Sequence, residues 1–191
     1  MKIVSIMLLT CCTCIASGQD FDFVISEILF FKTERGTSTL ELGKSSTANL
    51  IDMGAEYNGK ITIQIGMLKR FASYKTDRVG EFYITEENVL KGAALSAKFG
   101  ANNALLPANW PYAGIVLADT ANQKNGTSAD ELKQIMSKDA FELVSELVDT
   151  DEYTFHHYYI RNDLWCSFTG TIPSDESEVS GLLSVIIQKG D

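Results

Sequence analysis

Directly after Asn58-Gly59 the chain runs KITIQIGM, in which Ile61, Ile63, Ile65 and Met67 alternate with Lys60, Thr62, Gln64 and Gly66. A period of two puts every apolar side chain of such a stretch on one face, so it predicts a strand with one dry side and disfavours a helix. Asn and Gly both tolerate positive φ, which predicts a type I′ turn at Asn58-Gly59 leading into that strand.

Strand signals recur on either side. FDFVISEILFFK carries aromatic and β-branched residues on both alternating sets, ERG reads as a turn, and TSTLELG alternates Leu40 and Leu42 with Thr39 and Glu41. These segments predict a hairpin, and EFYITE adds one more strand. The region 19–85 is therefore expected to be mostly antiparallel β, a meander of hairpins.

From residue 86 helical spacing takes over. Thr85 with Glu86 and Glu87 can open a helix that turns Val89, Leu90, Ala93, Leu95 and Ala97 inward, although Gly92 costs it about 1 kcal/mol. SADELKQIMSKDAFELVSELV predicts a better helix. Ser128 and Glu131 form a capping box, Leu132, Ile135, Met136, Leu143 and Leu147 keep helical spacing, and Asp139 with Glu142 repeats the cap, marking a break near Lys138. Ala113 to Ala118 reads as a short buried strand. In the tail, SDESEVSGLLSVIIQKGD, acidic residues first and Lys189 last favour a helix, while Val185, Ile186 and Ile187 favour a strand; helix is the preferred reading. The expected fold class is α+β: N-terminal antiparallel hairpins, then helices and a further hairpin, in a single domain over 19–191, β-rich over 19–85 and mixed over 86–191. No internal repeat or low-complexity segment shows.

The N-terminus, MKIVSIMLLTCCTCIASGQD, has Lys2, an apolar run from Ile3 to Leu9 and the small residues Ala16-Ser17-Gly18, the layout of a secretory signal peptide over 1–18. A secreted or periplasmic protein is expected. The apolar run is far shorter than the ~20 residues that cross a bilayer, so no membrane span is expected. Cys11, Cys12 and Cys14 follow the run as a bacterial lipoprotein's cysteine would, but Thr10 and Thr13 stand where Gly or Ala is needed, which argues against a lipid anchor. Cleavage leaves Cys166 as the lone thiol, so an apolar core rather than an internal disulfide must hold the domain. With 25 acidic against 16 basic residues and a formal net charge of −9, the chain is a poor partner for phosphate backbones, and nucleic-acid binding is set aside.

The stretch YTFHHYYIRNDLWCSFTG, Tyr153 to Gly170, gathers both histidines, a tryptophan and the last cysteine. Its two arms predict a hairpin. A three-residue turn would pair His156 with Phe168 and Tyr158 with Cys166; a two-residue turn at Asn162-Asp163 would pair His157 with Phe168 and Tyr159 with Cys166. In both registers Cys166 shares a face with Leu164 and Phe168, a core address. His156 and His157 point to opposite faces of a strand and cannot share one metal ion, and no other histidine completes a zinc site. Asp149 to Glu152 lacks the glycine and the spaced glutamate of a calcium loop. No metal and no cofactor is expected. There is no G-x-S-x-G elbow, P-loop or G-x-G-x-x-G. MLKRFASYKTDR, with Lys69, Arg70, Lys75 and Arg78 around Phe71 and Tyr74, reads first as an edge kept soluble by its charges and second as a site for an anionic ligand or partner.

Two functional expectations follow. The first is a soluble extracytoplasmic module without enzymatic activity, which binds an unknown protein or small-molecule ligand through aromatic surface; Trp110, Tyr112, Tyr159 and Trp165 are the candidate contacts. The second is an extracytoplasmic hydrolase in which Cys166 is the nucleophile and His157 or His156 its base.

Overall fold

The structure, a computed structural model, describes residues 25–33, 36–65, 67–76, 80–96, 115–119, 122–173 and 179–190. Strands β1 (Ile28–Thr33) and β2 (Gly36–Glu41) lead to helix α1 (Thr47–Asp52) and then to β3 (Glu56–Ile65), β4 (Met67–Thr76), β5 (Gly80–Ile84) and β6 (Leu90–Ser96). Helix α2 (Ala129–Lys138) is followed by β7 (Glu142–Asp149), β8 (Thr154–Arg161), β9 (Leu164–Thr171) and β10 (Gly181–Lys189). The first two strands form the expected hairpin. The other eight make one sheet in the order β3-β4-β5-β6-β10-β9-β8-β7, antiparallel throughout.

That order reads the same from either edge: a helix followed by a four-stranded meander occurs twice, and the last strands of the two halves, β6 and β10, meet at the centre. The sequence shows no repeat because such an architecture requires only alternation, which many residue choices satisfy.

An α+β fold with helices between hairpins is therefore overturned, in three places. Leu90–Ser96 is a strand, not a helix. Gly92, which would weaken a helix, is where the sheet needs close approach: an added Cβ would meet Ile187 O and Tyr83 Cδ2 at 3.1 Å. The tail is β10, a central strand, with Leu182, Val185 and Ile187 in the main core and Ile186 packed on the opposite face. Its β-branched run fits a strand covered on both sides, and that outweighs the charge gradient which favoured a helix. The long helix stops at Lys138. Its Ser128–Glu131 capping box forms as expected, but Ala140 takes φ +58 and the chain re-enters as β7.

Two smaller differences share a cause in local backbone chemistry. Asn58-Gly59 lies inside β3, where the ladder to β4 slips between Tyr57 and Gly59; the positive φ of Gly59, +106, serves a bulge instead of a turn. Ile115 to Ala118 is buried at Ile115, Leu117 and Ala118, yet it is held by single bonds such as Ala118 N–H to Leu182 O, 2.7 Å, and forms no ladder.

Leu50 of α1, Leu132 and Met136 of α2, and Leu29 and Leu40 of the β1·β2 hairpin share one core with Phe82, Phe155 and Phe168 of the sheet. The other face carries a smaller cluster of Ile63, Phe71 and Tyr83. Arg161 ties the N-terminal segment to the end of α2: it donates to Asp139 O at 3.0 Å and to Ile25 O, and its guanidinium lies 4.3 Å over the Phe141 ring.

Candidate functional site

The Tyr153–Gly170 stretch forms its hairpin with the two-residue turn at Asn162-Asp163, Asn162 taking φ +55. Arg161 pairs with Leu164, Tyr159 with Cys166 and His157 with Phe168. Alternation then sends Phe155, His157 and Tyr159 of β8 and Leu164, Cys166 and Phe168 of β9 to the core face, and all six are buried.

His157 is completely buried, between the rings of Phe155 at 5.1 Å and Tyr159 at 6.0 Å. Its Nδ1 lies 3.3 Å from Tyr159 Oη and its Nε2 lies 3.4 Å from Glu146 Oε1. Nε2 makes no hydrogen bond among the described residues, and which of Nδ1 and the Tyr159 hydroxyl donates is set by the tautomer of the ring. Burial holds the imidazole below its ordinary pKa, against the upward pull of Glu146. Burial likewise pushes Tyr159 up to about 12. Cys166 is 1% exposed, and burial drives its thiol far above the ordinary range. A thiol held neutral and out of solvent is not poised for attack, and the His157 Nδ1 faces Tyr159 instead of Cys166.

On the opposite face His156 Nδ1 lies 3.0 Å from Thr169 Oγ1, and Trp165 is half-buried there by alternation. Of the four aromatic contact candidates, Trp165 keeps exposed surface, Tyr159 is 2% exposed in the core, and Trp110 and Tyr112 lie outside the described residues. Among the described residues no group of three His, Cys, Asp or Glu side chains comes together. Among the described residues, two surface depressions of about 350 Å³ each are lined by neither Cys166 nor either histidine.

Of the three segments that fold as strands where helix was expected, β7 is the one with an exposed apolar surface. At the sheet edge it pairs, among the described residues, with β8 alone, and it exposes Leu143 (37%), Val144 (52%), Leu147 (58%) and Val148 (51%). These residues are spaced for one face of a helix; in a strand they divide between two faces, and all four keep exposed surface. Val144 is the bulge residue, skipped in the ladder between Leu143 and Ser145. The same strand and the turn after it carry Glu142, Glu146, Asp149, Asp151 and Glu152 with no basic residue among them; among the described residues Glu146 alone of the five is in an ion pair with a lysine or arginine, Lys133 at 2.6 Å. The stop after Lys138 was the available sequence signal, since whatever follows a helix end is free to be a strand.

Comparison with known protein families, with curated proteins and with solved structures finds no match to this chain. Among the described residues no helix is long and apolar enough to cross a membrane.

Proposed function

We propose that this chain is an exported, non-enzymatic protein-binding module that takes an extended partner segment onto the free edge of β7. The observation that carries this reading is the exposure of four large aliphatic side chains on one eight-residue edge strand. An edge strand offers a row of unpaired N–H and C=O groups, and natural proteins keep such edges short, charged or covered unless they are used. The five carboxylates from Glu142 to Glu152 choose the partner. A second copy joined β7 to β7 would set like charges against each other, which is destabilising. A strand that alternates lysine or arginine with aliphatic residues meets both the charge and the apolar surface.

The test is titration with an alternating lysine–valine heptapeptide and, beside it, a glutamate–valine heptapeptide. Saturable binding of the lysine peptide alone is expected. Val148→Pro should abolish it with little loss of thermal midpoint, because Val148 stands opposite Phe155, whose own N–H and C=O turn toward Gly170 of β9, so proline removes a donor from the outward edge and none from the ladder. Equal binding of both peptides, or unchanged binding in a folded Val148→Pro, would refute the reading.

A further inference from the structure

At the other end of the sheet, a cleft of about 350 Å³ opens between α1, the turn after β5 and the β3–β4 pair. Two cations line it, Lys60 of β3 and Arg70 of β4. Lys60 pairs with Ala72 and Arg70 with Thr62, so alternation sends both side chains to the helix-covered face. Lys69, Phe71 and Lys75 take the opposite face, where Phe71 packs with Ile63 and Tyr83. The basic run read from the sequence is thus split by the pleat, and of its described cations only Arg70 lines the cleft, where Lys60 joins it.

An inward-pointing charge on an edge strand is a known device against edge-to-edge pairing. It accounts for Lys60 on β3 but not for Arg70, because β4 is flanked on both sides by β3 and β5. Neither cation has an ion pair or hydrogen bond among the described residues. The rest of the wall is rich in donors. Asn88 Oδ1 is engaged by Thr47 N–H at 3.1 Å and by the Thr47 hydroxyl at 2.5 Å, which leaves the Asn88 Nδ2 hydrogens as its unspent groups. Thr85 and Tyr74 add hydroxyls, Ala72 and Ile84 add apolar floor, and Glu86 is the one carboxylate.

We infer that this cleft binds a small organic anion, a carboxylate or phosphate on a compact apolar body. The anion sits between Lys60 and Arg70, with the body against Tyr74 and Ile84. Charge-assisted bonds to a guanidinium are the strong ones, and the volume suits a small ligand. The inference does not depend on the β7 reading, which concerns the opposite edge.

The test is an amide-shift titration of the whole protein at low salt with phenyl phosphate, benzoate and inorganic phosphate, and with benzyl alcohol as the neutral probe. Saturable shifts at the amides of Thr47, Thr85 and Asn88 are expected from at least one anion. Lys60→Gln with Arg70→Gln, both at exposed residues, should weaken that anion by about tenfold or more. Lys69→Gln with Lys75→Gln should leave it unchanged. The inference fails if benzyl alcohol shifts the same amides as strongly, if the opposite-face pair weakens binding equally, or if no anion saturates by about 10 mM.

Discussion

Glu146 stands between a surface lysine and a buried histidine: its Oε1 lies 2.6 Å from Lys133 Nζ and 3.4 Å from His157 Nε2. The pair makes His157 a pH-dependent element of stability. Burial lowers its pKa, Glu146 and Asp130 oppose that, and Lys133 adds to it. As pH falls through the ordinary histidine value of about 6.5, the unfolded chain takes up a proton before the folded one, so stability is full above that pH and declines below it. Urea midpoints measured from about pH 8 to about pH 5 should therefore fall more steeply in the parent than in His157→Gln. Equal slopes would mean that His157 titrates normally.

Cys166 is a core residue by the same alternation. Iodoacetamide should label it only after denaturation. Cys166→Ala should cost about 1 kcal/mol, as for a small buried deletion. Cys166→Asp should prevent folding, because it forces an unpaired carboxylate into an apolar site. Rapid labelling of the native protein would place the thiol at the surface and reopen the Cys–His reading.

Gly170 is fixed by packing. It pairs with Phe155 across β8·β9, and a Cβ there would overlap the Phe155 ring and lie 2.7 Å from Gly181 O. Gly170→Ala should lower stability by about 2 kcal/mol, in the range of overpacked cores, while Gly54→Ala is the comparison with open space but φ +83. A Gly170→Ala protein as stable as the parent would show that β8 and β9 are not packed this closely.

Strands marked by alternation were legible in the sequence: the β1·β2 hairpin, β5, and the β8·β9 hairpin with Leu164, Cys166 and Phe168 inward. The α2 cap was legible too, because Ser128 and Glu131 act within one turn. The misread segments, β6, β7 and β10, carry apolar residues whose spacing suits either structure. For β6 and β10 the choice is made by partners far along the chain, each pairing with the other at the centre of the sheet. For β7 it is made by the left-handed Ala140, which ends α2 and turns a helical stripe into an exposed edge. The anion cleft could not be read in advance, since Lys60 and Arg70 meet only through the β3·β4 register.

Amide hydrogen exchange, followed with and without the lysine–valine peptide, tests the proposed role of β7 most directly. Without peptide, the outward-facing amides of Glu142–Asp149 should exchange freely, as expected of an unpaired edge. With saturating peptide their protection should rise by about tenfold or more, while the β3 edge, Glu56–Ile65, stays unchanged. Protection that appears at β3 as strongly as at β7, or at neither edge, would contradict strand addition at β7.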